Sequence, residues 1–289
     1  MIQVYYEFNT KTLINIKIIN KLMNTLEKLF NQTKNFSTKW KKYFQIYEKI
    51  FNRYRNKKII FVEIGIFQGG SLEIWKNYFG KKSRIIGIDL NPHCKKFKNK
   101  KKNIDVFIGD QSDPVFWKNF FKKVGNVDVI LDDGGHTNKQ QILTVLNTIK
   151  NINNGGKLVI EDTHTSYLPK FGNPNQYSFI NFTKQIIDQI NYTFPFSVKK
   201  KFKNEISKYV YGLSFYESIV EFKIDRKQCI ENKFLYNQGK SSGFEDFRNE
   251  NSNLIKILKN LKTRTNLFKR IKLQKLNYFI ENFFLRKYF

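Results

Sequence analysis

The sequence predicts a doubly wound α/β fold with a mostly parallel sheet, a terminal antiparallel strand pair, and helical extensions at both ends. Between about residues 59 and 162, short apolar runs alternate with segments of helical periodicity. Two of these runs end abruptly in pairs of carboxylates, as buried strands do where they reach a cleft. Strands that alternate with helices form parallel sheets through right-handed crossovers, so this pattern indicates a doubly wound architecture.

The individual elements follow from the apolar runs and from capping signals. Five buried strands and a terminal pair are predicted at Ile59–Ile64, Arg84–Asp89, Ile104–Ile108, Val127–Leu131, Lys157–Ile160, Ser207–Tyr216 and Glu217–Ile224. Helices are predicted at about 71–80, 114–124, 137–151 and Phe179–Ile190. Asp113 precedes Pro114 as an N-cap, and Thr137 forms a capping box with Gln140. Asp113 is therefore assigned a structural role.

Both ends of the chain are predicted to be helical extensions of the central domain. Near the N-terminus, Leu22, Leu26 and Leu29 repeat at helical spacing, and a second amphipathic pattern runs from Trp40 to Phe51. These helices are expected to cover one face of the sheet. The C-terminal stretch 254–289 is basic with an apolar stripe, and GKSSG at 239–243 is a plausible hinge before it. The expected parts are 1–58, a catalytic domain at 59–230, and a tail at 231–289.

The composition limits the classes of protein that the chain can belong to. Its 52 Lys and Arg residues outnumber its 24 Asp and Glu residues, which gives a formal net charge of +28. This excess reflects either an anionic partner or a coding bias that also enriches Asn, Ile, Phe and Tyr. Cys94 and Cys229 give no disulfide framework, and the sequence shows neither a signal peptide nor an apolar run of membrane-spanning length. We therefore expect a cytoplasmic protein.

Acidic side chains are predicted to gather at one edge of the sheet. Two neighbouring strands each end in a pair of carboxylates, which are Asp132 and Asp133, then Glu161 and Asp162. Because the carboxyl ends of parallel strands open into one crevice, these groups come close together, with His136 beside them. Like charges at this spacing call for a cation, and oxygen ligands favour Mg²⁺, or Ca²⁺ or Mn²⁺, over zinc. The sequence thus predicts a site for a hard divalent cation, with His136 beside it as a base that accepts a proton.

The turn after the first strand predicts a ligand site of a different kind. Gly65 permits a tight turn, and Gly69-Gly70 lets a ligand approach the start of the next helix. The carboxylate of Glu63 just before this turn would repel a pyrophosphate, which argues against a dinucleotide. It suits a cationic ligand, and S-adenosylmethionine carries both a sulfonium and an ammonium group.

The ends of the next strands complete this predicted cofactor site. Asp89 ends the second strand, where an acidic residue accepts hydrogen bonds from ribose hydroxyls. Asp110 and Gln111 follow the third strand and are placed to meet an adenine edge. Asp132, at the end of the fourth strand, is also assigned to the cofactor.

The motifs at these strand ends resemble those of a known enzyme family. VEIGIFQGGSLEIW, GIDLNP, IGDQSD, ILDDGGHT and IEDTHTSY are similar to motifs of metal-dependent sugar O-methyltransferases of macrolide biosynthesis (the mycinamicin type). Related groups are named cephalosporin hydroxylases and rhamnosyl O-methyltransferases, and the similarity covers roughly residues 36–225. The resemblance implies a Rossmann-like class I methyltransferase domain that binds S-adenosylmethionine and a magnesium ion that holds a sugar diol.

Carried over motif by motif, the resemblance also implies roles for individual residues. It places metal ligands at Asp133, Glu161 and Asp162 and a catalytic base at His136. The cofactor contacts that it implies are Glu63, Gly65, Asp89, Asp110 and Gln111.

The resemblance leads to one principal function and leaves the acceptor open. The principal function is Mg²⁺-dependent transfer of a methyl group from S-adenosylmethionine to a hydroxyl of a sugar, whether free, nucleotide-linked or part of a glycan. A small phenol or antibiotic-like molecule is one alternative acceptor. RNA is another because of the charge, although no RNA-binding motif is present. A scaffold with an inactive site is disfavoured because His136 and the acidic residues are all present. We also expect self-association through the helical extensions.

Overall fold

Seven apolar runs form the strands of one sheet. They are β1 (Ile60–Ile64), β2 (Arg84–Asp89), β3 (Ile104–Ile108), β4 (Val127–Asp132), β5 (Ile152–Ile160), β6 (Val210–Tyr216) and β7 (Ile219–Ile224). Their order across the sheet is β3-β2-β1-β4-β5-β7-β6, with β1 to β5 parallel and β7 antiparallel to both of its neighbours. The computed structural model describes residues 25–195, 197, 200–240, 282 and 285–288.

Helices lie on both faces of this sheet. In the described residues they are α1 (Thr25–Gln32), α2 (Tyr43–Phe51), α3 (Gly70–Phe79), α4 (Pro114–Val124), α5 (Asn138–Thr148) and α6 (Phe179–Asn191). Every strand and helix predicted between residues 59 and 224 is present, and the predicted fold class is confirmed. β5 begins at Ile152, earlier than predicted, because Ile152 pairs with Val127 beyond an irregularity in the β4–β5 ladder.

Aromatic side chains pack the first three helices against one face. Phe51 of α2 contacts Phe61 of β1 and Trp75 of α3, with ring centroids 5.7 and 5.6 Å apart. α4, α5 and α6 bury a second core on the opposite face, which includes Trp117 and Phe179. The prediction that the N-terminal helices cover one face of the sheet is confirmed for α1 and α2.

The capping predictions are confirmed, and the prediction for one aromatic residue is wrong. The Asp113 carboxylate accepts a hydrogen bond from the Val115 N–H at 2.8 Å, and Thr137 with Gln140 forms the capping box of α5. Trp40 is not part of the buried face of α2, because that helix begins only at Tyr43. The Trp40 side chain is 63% exposed.

The described chain falls into two compact units, residues 1–233 and 234–289. The predicted helical positions around Leu22 lie outside the described residues, as does most of the predicted C-terminal stretch 254–289. Among the residues described, no helix is both long and apolar enough to cross a membrane.

The sheet has a topological switch point between β1 and β4. The chain leaves β1 through α3 towards β2 and returns from β3 through α4 to β4, so the two connections cover opposite faces. Ile64 of β1 pairs with Asp132 of β4, which pairs in turn with Ile160 of β5. The loops after these three strands therefore begin at the same level, and ligands of doubly wound sheets bind at such a point.

Candidate functional site

A cleft of about 810 Å³ opens at the switch point. The loops that follow β1 to β5 line it, together with the segment 36–40 that connects α1 to α2. Its volume lies in the range of small-molecule and cofactor sites, which is about 300–1,000 Å³.

Gly65 sets the close approach of the first and fourth loops. Its φ is +83°, and a Cβ atom there would lie 2.1 Å from the Asp133 carbonyl oxygen. The Asp133 N–H donates to the Ile64 carbonyl at 3.0 Å, which extends the strand pairing into the loop. Gly65 thus fixes where Asp133 stands, in addition to lining the cleft.

Asp89 holds the glycine-rich turn in place. Its Oδ2 accepts hydrogen bonds from the Ile66 and Phe67 N–H groups at 3.0 and 3.1 Å, and its Oδ1 accepts one from Asn91 N–H at 2.8 Å. The residue lines the cleft. Because a carboxylate has about four lone-pair sites, Oδ1 keeps capacity for a hydroxyl donor from a ligand.

Gln111 and Asp132 form a buried network that supports the loop after β4. The Gln111 amide donates to both Asp132 oxygens at 3.0 Å, and its own oxygen accepts from Gly135 N–H at 2.9 Å. Asp132 also accepts from Gly134 N–H at 3.1 Å. Burial raises the pKa of Asp132, against hydrogen bonds from Thr144, Gly134 and Gln111 that lower it.

Glu63 lies behind the wall of the cleft. It is fully buried, and its carboxylate accepts hydrogen bonds from Ser71 Oγ at 2.5 Å and from Trp75 Nε1 at 3.0 Å. Burial raises the pKa of Glu63 to about 7, even though Lys39, Ser71 and Trp75 act to lower it. Of the residues predicted to hold a cofactor, Gly65, Asp89, Asp110 and Gln111 line the cleft, and Glu63 and Asp132 do not.

Asp133, His136 and Asp162 come together on the other side of the cleft. One ligand atom from each lies within 4.8 Å of the other two. His136 Nε2 is 3.5 Å from Asp162 Oδ2 and 4.0 Å from Asp133 Oδ1. His136 and Asp162 both have positive φ angles, 57° and 53°, a conformation that few residues other than glycine adopt and that clusters at functional sites.

The third predicted metal ligand, Glu161, lies beside this group but is engaged by other side chains. It is 1% exposed. Its Oε1 accepts a hydrogen bond from the Tyr47 hydroxyl at 2.5 Å, and both carboxylate oxygens contact Lys39 Nζ. Burial and the neighbouring Asp133 charge raise the pKa of Glu161 well above its ordinary value, opposed by Lys39 and Tyr47.

Lys39 is the residue of the site that the sequence did not indicate. Its ammonium lies 2.5 Å from Asp133 Oδ2, 3.0 Å from Glu161 Oε2 and 4.0 Å from Glu63 Oε1, and its side chain is 6% exposed. Burial alone would lower the pKa of Lys39, but the charges of these three carboxylates outweigh it and raise the pKa. Nothing in the local sequence distinguishes Lys39 from the other lysines around it.

A hydrogen-bonded chain continues from Asp162 to the edge of the cleft. The Tyr43 hydroxyl donates to Asp162 Oδ1 at 2.6 Å and lies 2.9 Å from Ser218 Oγ. His164 Nδ1 is 2.6 Å from the same Ser218 oxygen, and the His164 ring meets the Trp40 ring edge to face at 6.2 Å. His164 therefore lies beside the group of Asp133, His136 and Asp162 but does not belong to it.

Comparison with known proteins supports the resemblance noted from the motifs. The chain is 29% identical over 168 residues to the 8-demethyl-8-alpha-L-rhamnosyl tetracenomycin-C 2'-O-methyltransferase of Streptomyces olivaceus, covering 54% of this chain and 43% of that protein. It is 29% identical over 187 residues to the mycinamicin VI 2''-O-methyltransferase of Micromonospora griseorubida, covering 60% and 45%. These matches confirm the resemblance to sugar O-methyltransferases, although the chain spans less than half the length of either relative. No protein-family model matches the chain.

A solved structure confirms the fold. The MycE methyltransferase of the mycinamycin biosynthetic pathway, in complex with Mg and SAH, superposes with a TM-score of 0.64 and 24% identity. The match covers 75% of this chain and 58% of that one. The chain therefore has the Rossmann-like methyltransferase fold that the strand order also shows.

Proposed function

We propose that the protein is a Mg²⁺-dependent O-methyltransferase that transfers a methyl group from S-adenosylmethionine to a sugar hydroxyl. One observation carries this proposal. The predicted cofactor residue Asp89 and the group of Asp133, His136 and Asp162 line the same cleft. A methyl donor and a metal-held acceptor must meet in one cavity for direct transfer, and the relatives named above are O-methyltransferases.

The cleft fits S-adenosylmethionine on the side of β1 to β3. The Oδ1 atom of Asp89 is available to ribose hydroxyls, and Asp110 is exposed at the position proposed for the adenine edge. Gln111 faces the same space while it supports the loop after β4. For Glu63 and Asp132, contact with the cofactor stays a prediction, and their burial favours a supporting role.

The opposite side of the cleft fits a hard divalent cation. Asp133 and Asp162 offer carboxylate oxygens at a spacing that one ion can bridge, and Glu161 lies next to them. Oxygen-rich donor sets of this kind favour Mg²⁺. A bound Mg²⁺ would supply Lewis acidity towards an acceptor hydroxyl.

The protein's own groups then account for proton removal and orientation. We assign His136 as the group that accepts the proton of the acceptor hydroxyl, because it lines the cleft beside the carboxylates. Asp162 Oδ2, which lies 3.5 Å from His136 Nε2, would stabilise the imidazolium that forms, and Tyr43 holds Asp162 in turn. Fixed positions of donor and acceptor supply much of the rate in a displacement of this type.

The wall next to His136 suits a sugar. Trp40 is exposed and lines the cleft, and its ring stands against His164. An aromatic face beside hydrogen-bonding groups fits the apolar face of a pyranose ring together with its hydroxyls. We therefore include residues 36–43 in the proposed functional unit, although the boundary expected from the sequence lies at residue 58. Location in the cytoplasm and self-association through the helical extensions stay predictions.

The test is methyl transfer from labelled S-adenosylmethionine to a panel of sugar nucleotides, deoxysugars and glycosides. Phenolic compounds and RNA in the same panel represent the alternative acceptors. Activity on a sugar that is lost in EDTA and restored by Mg²⁺ supports the proposal. Undiminished turnover in EDTA would contradict its metal requirement, and activity confined to phenols or RNA would contradict its acceptor.

A further inference from the structure

We propose that Lys39 is a displaceable internal cation, whose ammonium holds the oxygens of Asp133 and Glu161 until a divalent ion takes them over. The inference rests on the proposed function in one respect, namely that a divalent ion binds to this carboxylate group. It goes beyond that function because it assigns a role to a residue outside the predicted site. It also couples metal binding to the wall of the cleft.

The contacts of Lys39 are the first observation. Its Nζ atom lies 2.5 Å from Asp133 Oδ2 and 3.0 and 3.3 Å from the two oxygens of Glu161. Two of the three predicted metal ligands thus already share one cation. The Lys39 side chain is 6% exposed, so this cation is inside the site and not at its rim.

Coordination geometry argues that the ammonium and a metal ion exclude one another here. Mg²⁺ binds oxygens at about 2.0–2.1 Å, so the ligand oxygens of Asp133 and Glu161 would have to converge on the ion. Glu161 Oε1 already accepts from Tyr47 as well as from Lys39. An ammonium left on the same oxygens would place like charges on the order of 4 Å apart, where their repulsion is strong in a partly buried site.

The charges in the site make the exchange favourable. Glu63, Asp133, Glu161 and Asp162 would carry four negative charges when ionised, and Lys39 is within 4.0 Å of three of these groups. A divalent ion brings one more positive charge than the lysine that it replaces. The exchange therefore lowers the net negative charge of the group, which is the usual requirement for carboxylates that lie this close.

The position of Lys39 in the chain allows its side chain to leave the carboxylates. It lies between α1 and α2, in a stretch without regular structure that forms part of the cleft wall. A lysine has a flexible stem and a compact charge, so it can leave without a specific planar geometry being broken. Phe36 and Trp40 flank it on the same wall and are 55% and 63% exposed. Release of Lys39 would therefore change the surface proposed to receive the acceptor.

The first test compares the Mn²⁺ affinity of the parent chain and two variants by electron paramagnetic resonance titration. Lys39→Met keeps an unbranched, flexible side chain and removes the ammonium. Lys42→Met is the matched control, because Lys42 is 74% exposed and pairs with Glu217 on the surface. We expect Lys39→Met to bind Mn²⁺ about tenfold or more tightly than the parent does, and Lys42→Met to resemble the parent. Equal affinities of Lys39→Met and the parent would overturn the proposal.

The second test uses the unmodified chain, so it stands even if Lys39→Met does not fold. Brief acetylation followed by mass spectrometry reports which lysines are accessible. Lys39 should be protected in EDTA and labelled at saturating Mn²⁺, whereas Lys42 should be labelled equally in both. A Lys39 that stays protected with Mn²⁺ bound would show that the two cations reside together, which overturns the proposal and leaves the proposed function intact. If neither the parent nor Lys39→Met binds Mn²⁺, the metal assignment of the proposed function fails and this inference fails with it.

Discussion

The two sides of the cleft stabilise their carboxylates in different ways. On the side proposed for the cofactor, Asp89 and Asp110 accept hydrogen bonds from backbone N–H groups, such as those of Ile66, Asn91 and Ser112. On the metal side, Asp133 and Glu161 are satisfied by Lys39, which is 94 and 122 positions away. A backbone N–H carries no full charge and does not compete with a cation, whereas an ammonium does. We therefore expect the side around Asp89 to be preformed, and the side around Asp133 to exchange the Lys39 ammonium for the proposed ion.

The largest expected effect is on the metal side. Asp162→Asn keeps an oxygen that can accept the Tyr43 hydrogen bond but removes a charged ligand. We expect the rate of methyl transfer to fall at least about 10⁴-fold, because loss of the ion removes several kcal/mol of transition-state stabilisation. Labelled methyl transfer at saturating Mg²⁺ measures this loss. Asp113→Asn is the control, because an asparagine caps α4 as well as aspartate does. Comparable activity of Asp162→Asn and the control would contradict the metal assignment.

A smaller loss is expected when the base is removed and the metal ligands are kept. His136→Ala should lower methyl transfer by roughly 10²–10⁴-fold, as is usual for a general base. Its affinity for Mn²⁺ should stay close to that of the parent, since the carboxylates remain. His136 also lies close enough to Asp133 and Asp162 to be a ligand itself. A parallel loss of Mn²⁺ binding would therefore reassign it from base to ligand.

Glu63, whose carboxylate lies 4.0 Å from Lys39 Nζ behind the cleft wall, should give a signature in the pH dependence of stability. Its pKa is raised by burial from 4.5 to about 7, so in this interval the folded protein keeps a proton that the unfolded chain has released. The contribution of Glu63 to the free energy of unfolding therefore falls as the pH rises from 4.5 to 7, by roughly 3 kcal/mol at most. Thermal unfolding in EDTA across this range measures the slope.

The variant Glu63→Gln isolates this contribution from other titrating groups. It should unfold with a flatter pH dependence than the parent because the amide does not titrate. Glu217→Gln is the matched control, since Glu217 is 70% exposed and should leave the slope unchanged. If Glu63→Gln showed the same slope as the parent, the raised pKa of Glu63 would be wrong.

The smallest expected effect is on the cofactor side. Asp89→Asn keeps one acceptor oxygen for the glycine-rich turn but weakens both this contact and any ribose contact. We expect the affinity for S-adenosylmethionine to fall about tenfold, which corresponds to the loss of one hydrogen bond to a charged group. Calorimetry measures this change, with Asp105→Asn as the control because Asp105 pairs with Arg84 and Lys98 away from the cleft. An unchanged affinity in Asp89→Asn would show that the ribose does not bind at Asp89.

Features that depend on nearby residues could be predicted from the sequence, whereas contacts between distant residues could not. Strands, helix caps and acidic strand ends depend on neighbouring residues. Local patterns therefore predicted the capping roles of Asp113 and Thr137, and the parallel register predicted that Asp133 and Asp162 lie close together. Lys39 and Tyr47 reach Glu161 only through tertiary packing, and a lysine among many offers no local signal. Trp40 continues the apolar period of α2, but the helix begins three residues later, so the ring stays outside the core.

The proposed function requires one cleft to hold the methyl donor and the divalent ion side by side. The most direct measurement is the nuclear relaxation of ¹³C-methyl-labelled S-adenosylmethionine bound to the protein, with Mn²⁺ in place of Mg²⁺, since it needs no acceptor. We predict that Mn²⁺ sharply increases the relaxation rate of the bound methyl group, and that Asp162→Asn removes this increase while the cofactor still binds. If S-adenosylmethionine and Mn²⁺ both bind but the methyl relaxation does not change, the two sites are apart and the proposed function is wrong.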